Sequence, residues 1–282
     1  MNKSYLLLIS IVIVMLVSSL TKNQSPQVYV TPNDESIRLE RSFSSAVMLK
    51  LVHHRKGGTG VLVGKKKAGD NGWRYNVLTA CHVVEEFIPR ARDGMSIEEI
   101  EQTKRLVIAV YGGFHNKPAL CESKLLNLEW VAPEKDWAIF SCYLPYDLPC
   151  AELATRKDFE SIRPYEHIFG IAGDDLRGLS CKTGILSSAS NDEPYSNQAS
   201  AIIVPWDKFS HEFFRPDHNI WFGASGGPIF KKDGKLIGIY IALTIRESQA
   251  IPHSIVAYKA HCIRETIENS QPQLIREDYE LK

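Results

Sequence analysis

The sequence lacks an excess of charge of either sign: 33 lysines and arginines stand against 33 aspartates and glutamates, evenly mixed. Without a basic patch to meet a phosphate backbone, nucleic acid is a poor candidate partner. The cysteines (Cys81, Cys121, Cys142, Cys150, Cys181 and Cys262) include no C-x-x-C pair. That spacing does not support a thiolate metal site, and it leaves disulfides and free core thiols equally open. Repeats, low-complexity stretches and Gly/Ser-rich linkers are also missing, and no motif calls for a cofactor. The single long uncharged run is Leu6 to Leu20, preceded by Lys3. It has the length of a signal-peptide apolar region and is short of the roughly 20 residues of a comfortable membrane span. Residues 1–21 are therefore expected to be a signal peptide or a membrane anchor, a tether through 6–20. Either reading sends the rest of the chain to an extracytoplasmic (periplasmic or secreted) location.

Residues 22–42 are polar, hold Pro26 and Pro32 and show no periodicity, which predicts an extended tether. Beyond them come short runs rich in Val, Ile, Leu and Tyr, punctuated by Gly, Pro, Asn and Asp, the pattern of an all-β domain. A first group of strands is expected at Ala46–His53, Gly60–Val63, Tyr75–Val84, Leu106–Tyr111, Leu125–Val131 and Trp137–Tyr143. A connector with Pro145, Pro149 and Pro164 follows, with a short helix near Ala151–Phe159. The second group is His167–Ala172, Cys181–Ser188, Ala199–Val204, Pro228–Phe230, Leu236–Leu243 and Ser254–Tyr258. Tyr258, Cys262, Ile263 and Ile267 then share one face at helical spacing, predicting a terminal helix over about 258–268. Ser96 and Glu99 have capping-box spacing in a further helical stretch, Ser96–Lys104. Residues 270–282 read as a polar tail.

Gly223-Ala224-Ser225-Gly226-Gly227-Pro228 is the most informative hexapeptide. A serine is a weak nucleophile and needs exposure, a base, and donors for the oxyanion that forms. Flanking glycines let the backbone turn sharply, so the N–H groups of Gly223 and Ser225 become the candidate oxyanion hole. An ordinary Gly-rich turn has the same composition. The nucleophile elbow of α/β-hydrolases fits G-x-S-x-G too, but it needs a helix directly after the serine and a later acid and histidine. Here Pro228 and the strand-like Ile229-Phe230 follow, and little chain remains.

A base is found upstream, in Leu78-Thr79-Ala80-Cys81-His82-Val83-Val84, where His82 stands near the end of an apolar strand. Lys135-Asp136-Trp137-Ala138-Ile139-Phe140 supplies a carboxylate, Asp136, at the mouth of another strand. A core histidine and a turn aspartate are the ordinary explanations of each alone. Taken in chain order, His then Asp then Ser, they match one of the known triad orders and exclude two others. Loosely spaced histidines elsewhere (His53-His54, His82 with Glu85 and Glu86, His211 with His218) lack a metal-binding pattern, so no metal is expected.

On these residues the chain resembles the trypsin/chymotrypsin-like serine proteases, and more closely the bacterial HtrA (Do-like) branch. The resemblance runs from about Ala46 to Glu268. Gly58-Thr59-Gly60-Val61-Leu62-Val63 is similar to the glycine-bearing strands before the histidine, and Thr183-Gly184-Ile185-Leu186-Ser187 to the strand opening the second sheet. Gly234-Lys235-Leu236-Ile237-Gly238-Ile239 is similar to the strand after the serine. The resemblance implies two six-stranded antiparallel β-barrels, chymotrypsin-like, with a C-terminal helix. The protease domain would cover 43–269, with a first barrel over about 43–144 and a second over about 165–258. It implies a serine endopeptidase acting on polypeptide substrates, with His82, Asp136 and Ser225 catalytic. It places a specificity pocket at Asn219 on the floor and Tyr240, Ile241, Ala242 and Leu243 on the wall, without a carboxylate for Lys or Arg, which favours a small or medium apolar side chain. The branch usually carries a C-terminal PDZ domain, for which this sequence leaves no room, and the stretch Val204 to Trp221 is longer and richer in aromatics. Oligomers occur in the branch, but nothing in this sequence specifies one. A catalytically silent binding or sensor module on the same fold is the alternative function.

Overall fold

The computed structural model describes residues 34–51, 57–69, 72–84, 105–110, 118–124, 127–163, 165–173, 178–189, 210–220, 223–246 and 249–270. The apolar leader, the helical stretch Ser96–Lys104, the expected strand Ala199–Val204 and the end of the polar tail lie outside them.

The first described element is a helix, α1 (Asp34–Ser45), followed by β1 (Ala46–Leu51), β2 (Gly57–Lys67) and β3 (Trp73–Ala80). A single helical turn, α2 (Cys81–Val84), caps β3. Then come β4 (Arg105–Val110), β5 (Ala119–Lys124), β6 (Asn127–Ala132) and β7 (Trp137–Leu144). They form one antiparallel sheet in the order β5-β4-β1-β2-β3-β7-β6. A connector carries α3 (Arg156–Glu160) to β8 (His167–Gly173), β9 (Leu179–Ser188), β10 (Phe213–Pro216), β11 (Pro228–Lys231), β12 (Leu236–Arg246) and β13 (Gln249–Lys259). These last six close into a barrel in the order β10-β13-β12-β11-β8-β9, and α4 (Ala260–Ser270) is the last described element. The double-barrel, chymotrypsin-like architecture expected from the sequence is therefore present.

Four details correct the sequence reading. The first half has seven strands, the added one being β5, whose Leu120 is 71% exposed while Cys121 is 8% exposed. A half-exposed edge strand has only a short apolar signature, so its polar spelling Ala-Leu-Cys-Glu-Ser-Lys hid it. The end of the expected tether is helical: α1 buries Phe43 and Ser45 while Arg38 and Arg41 stay exposed. The helix packs close to the β11–β12 turn, where a Cβ on Gly234 would meet Ser42 Oγ and Arg38 Cβ. The terminal helix starts at Ala260, since Tyr258 still pairs with Phe213 and Ile239 as part of β13. Finally, β3 stops at Ala80, and His82 sits on the α2 turn instead of a strand.

The core explains why the halves stay together. One apolar cluster runs from Val47, Leu62, Leu78 and Phe140 through Phe230, Ile239 and Tyr258 to Ile263 and Ile267 of α4. It crosses from one half to the other, and a smaller cluster around Phe159, Phe214 and Tyr240 fills the second barrel. Ala260, Ile263 and Ile267 lie on one face of α4, and burying each isoleucine stabilises the fold by about 2 kcal/mol. The connector is bonded on both sides: Ala151 N–H donates to Leu62 O at 2.7 Å, and Leu236 N–H donates to Glu152 O at 2.8 Å. Thr155 and Asp158 form the capping box that starts α3. The cysteines are thiols and not disulfides, and Cys81, Cys121, Cys142 and Cys262 are buried, so the core-thiol alternative holds for these four.

Candidate active site

Asp136 occupies the turn between Pro133–Lys135, a short 3-10 helix, and β7. Its backbone is left-handed, with φ 55° and ψ 42°, a conformation that costs a non-glycine residue about 1 kcal/mol and that Asp tolerates better than most. Hydrogen bonds hold it there. Its N–H donates to Pro133 O at 3.2 Å, and its carbonyl accepts from Cys81 N–H at 3.0 Å.

That turn aims the carboxylate at His82. Asp136 Oδ2 lies 2.7 Å from His82 Nδ1, and Asp136 Oδ1 accepts the backbone N–H of His82 at 2.9 Å. A carboxylate only accepts, so Nδ1 carries the ring proton and Nε2 is left with its lone pair. Two bonds from one carboxylate fix both the ring and its backbone. The Asp136 side chain is 3% exposed and that of His82 20%, so the acid is covered and the imidazole is open to solvent. The antiparallel pairing of β3 with β7, Val77 opposite Phe140 and Ala80 opposite Trp137, sets the two residues next to neighbouring strand ends.

Ser225 stands on the loop from Gly223 to Gly227 that enters β11. Its carbonyl accepts the N–H of Thr59 on β2 at 2.8 Å. Contacts to either side of His82 show how close the loop comes. A Cβ on Gly58 would stand 2.6 Å from Val83 Cγ2 and 2.9 Å from Ser225 O. A Cβ on Gly226 would stand 2.8 Å from Ala80 N and 2.1 Å from Thr79 Oγ1, and its φ is 81°. Position 226 thus requires glycine twice over, for its backbone and for the approach. The structure therefore brings His82 and Asp136 into contact and packs the Ser225 loop against β2 and against β3, which leads into the His82 turn.

The loop also disposes its backbone groups unequally. Gly226 N–H donates to Tyr240 O at 2.7 Å and Gly227 N–H to Ala224 O at 2.8 Å. Among the described residues, Gly223 and Ser225 take part in hydrogen bonds through their carbonyls, which accept from Thr59 Oγ1 and Thr59 N–H. Their N–H groups are not engaged there.

The expected specificity residues do not form one group. Asn219 is exposed. Tyr240 is fully buried inside the second barrel, its hydroxyl hydrogen-bonded to His218 Nδ1, so it is not a wall of an opening. A Cβ on Gly170 would strike that hydroxyl, which shows how the barrel makes room for the ring. Ile241 is 4% exposed and belongs to the apolar cluster shared by the two halves, and Ala242 and Leu243 continue β12. The His218 Nε2–H donates to Ile168 O at 3.2 Å, so the Tyr240 hydroxyl must donate to Nδ1. Burial pushes the imidazole down to about 4. Sequence reasoning weighed His218 only as a metal ligand, and nothing in its spacing foretold the tyrosine. Among the described residues no group of three or more His, Cys, Asp and Glu side chains could hold a metal ion, and no helix is long and apolar enough to cross a membrane.

A histidine held by a buried carboxylate, beside a Gly-Ala-Ser-Gly-Gly loop at the junction of two barrels, defines a class of proteases. The profile of the trypsin-like peptidase domain matches residues 58–239. The chain belongs to the trypsin-like peptidase family. Its fold is similar to that of solved HtrA-type proteases. AlgW with a decapeptide superposes with TM-score 0.54 and 18% identity, over 85% of this chain and 68% of that one. AlgW with a tripeptide gives 0.53 and 17%, over 85% of this chain, which spans 64% of that one's length. Deg5 gives 0.53 and 18%, over 86% of this chain and 94% of that one. A comparison with curated protein sequences gives no match.

Proposed function

We propose that this protein is a serine endopeptidase that cleaves polypeptides through an acyl-enzyme. Ser225 Oγ attacks the peptide carbonyl carbon while His82 Nε2 takes its proton. The tetrahedral oxyanion is held by the N–H groups of Gly223 and Ser225, a donor of this kind being worth about 3–4 kcal/mol. His82 then gives the proton to the departing amine, and water, activated by the same imidazole, releases the acid and restores Ser225. Asp136 keeps the proton on Nδ1 and stabilises the imidazolium between these steps. The observation that carries the reading is the double hydrogen bond from His82 to Asp136, which fixes the tautomer that a base facing Ser225 needs.

Polypeptide substrates are supported by the solved AlgW structures of similar fold, which hold peptides. The apolar run Leu6 to Leu20 supports export, and N-terminal sequencing of the chain from an extracytoplasmic fraction tests it. The activity is tested with a fluorophosphonate probe, whose phosphorus takes the Ser225 oxygen as fluoride leaves. Labelling of the wild type that disappears in Ser225→Ala supports the reading. Soluble, folded wild type that neither labels nor cleaves casein overturns it.

A further inference from the structure

The Gly223–Ser225 segment has little of its own to hold it in shape. Gly223 has φ 95° and no side chain, so its peptide planes rotate freely unless something outside the loop fixes them. Two planes are fixed, by different means. The Ala224 carbonyl accepts from Gly227 N–H at 2.8 Å, and because the peptide is planar the Ser225 N–H on the opposite side is aimed with it. The Gly223 carbonyl is held by a residue far away in sequence, Thr59 of β2, whose Oγ1 lies 2.8 Å from it.

Thr59 is fully buried, and every polar atom it has is hydrogen-bonded, its N–H and its hydroxyl to the second half. Its N–H donates to Ser225 O at 2.8 Å. Its carbonyl accepts from Thr79 Oγ1 at 2.7 Å, within the pair β2–β3. Its hydroxyl oxygen also accepts the N–H of Gly173, at the end of β8, at 2.9 Å. An N–H can only donate, so the one hydroxyl hydrogen must go to Gly223 O. The side chain is therefore a latch with a defined direction, tied to the second barrel at Gly173 and to the nucleophile loop at Gly223.

We infer that Thr59 is a positioning residue of this active site, setting through its hydroxyl the orientation of the Gly223–Ser225 backbone that receives the oxyanion. The inference rests on the serine endopeptidase reading and adds a residue outside the triad. Thr59 is fully buried and is assigned no contact with substrate. It holds the Gly223–Ala224 peptide plane, which lies between the planes carrying the Gly223 and Ser225 N–H groups, and so fixes one of the two backbone rotations at Gly223. A catalytic group displaced by about 1 Å loses on the order of 100-fold in rate.

The test uses the full chain and the fluorophosphonate probe, whose phosphoryl oxygen occupies the oxyanion position in the transition state. Thr59→Val keeps the branched shape and deletes the hydroxyl; Thr59→Ser keeps the hydroxyl. We expect Thr59→Val to lower the maximal inactivation rate kinact by about 10- to 100-fold with KI within about twofold. Thr59→Ser should return kinact to within about threefold of wild type. A merely structural role would instead lower Tm and the fraction of active sites, leaving kinact of the folded fraction unchanged, and Thr59→Ser would not rescue it selectively. That result, or a folded Thr59→Val with kinact within about twofold of wild type, overturns the inference while leaving the peptidase reading intact. If Thr59→Val does not fold, Thr59→Ala is measured in the same way and judged by the same outcomes. Wild type that neither labels nor cleaves overturns the peptidase reading and the inference with it.

Discussion

Lys135 of the first half and Glu212 of the second form an ion pair across the junction of the barrels, with Nζ 3.0 Å from Oε1 and 2.9 Å from Oε2. The Lys135 side chain is 17% exposed and that of Glu212 12%, so solvent screens the pair little. Glu212 also accepts the hydroxyl of Tyr258, which is fully buried on β13. Lys135 directly precedes Asp136, so the pair ties the aspartate's turn to the other barrel. Glu212→Gln takes the charge away from two donors and should destabilise the protein by about 3 kcal/mol, the scale for breaking a largely buried pair. Urea unfolding of variant and wild type measures it. A change within about 0.5 kcal/mol would place the pair among ordinary surface contacts.

Asp136→Asn tests the tautomer argument. An amide cannot accept from both the His82 ring and the His82 backbone as the two carboxylate oxygens do. Turning its N–H group towards the imidazole would drive the proton onto Nε2, where the base must be free. The rate of probe labelling should fall by about 10⁴-fold while Tm moves little, and a loss of less than about tenfold would be incompatible with the role assigned to Asp136.

His218 predicts a pH dependence of stability. Burial lowers its folded-state value to about 4, against 6.5 in the unfolded chain. Between these values the unfolded chain holds the extra proton, so stability rises with pH through that window. It is complete above about pH 6.5 and lost progressively as the pH falls towards about 4, by at most roughly 3 kcal/mol. Urea unfolding at intervals across this range should show the slope in wild type and a flatter line in His218→Gln. Parallel lines would assign the slope to other groups.

Gly226→Ala should be the least tolerated single methyl in the loop. The added Cβ would meet Thr79 Oγ1 at 2.1 Å and Thr59 O at 2.2 Å, both within the buried junction, at a φ of 81°. Backbone atoms cannot move aside, and left-handed alanine adds roughly 1 kcal/mol of its own. A drop in stability of several kcal/mol, or failure to fold, is expected from thermal unfolding. A Tm within a few degrees of wild type would contradict the packing described.

The parts of this protein that were legible in its sequence are those whose signal is local. Asp136 stood out because a carboxylate opened an apolar strand, Ser225 because glycines crowd it, and the central strands β3 and β7, with the Leu236–Ile241 part of β12, because they bury nearly every residue. Edge strands were harder. β5 buries one face only, and β10 is four residues long and closes the barrel through β13 and β9. The left-handed turn at Asp136, the helical turn under His82 and the helix α1 depend on hydrogen bonds and packing that form only once distant segments meet. Thr59 is the clearest case. Its neighbours Gly58 and Gly60 were read as a family likeness, but its partners Gly173, Gly223 and Ser225 come from the other half of the fold. No window of the chain contains that information, whereas a pattern of glycines on both sides of each contact hinted that the backbones would approach.

The connector between the halves bears on whether they can move apart. Ala151 is bonded to β2, while Glu152 and Ala154 are both bonded to Leu236 of β12, so the segment behaves as a short extra strand laid across the seam. A hinge needs a stretch whose backbone can rotate without losing partners, and this one has none at those positions. Opening the two barrels like jaws would break these bonds and expose the apolar cluster behind them. On the peptidase reading, a substrate would meet two halves whose separation these bonds hold fixed.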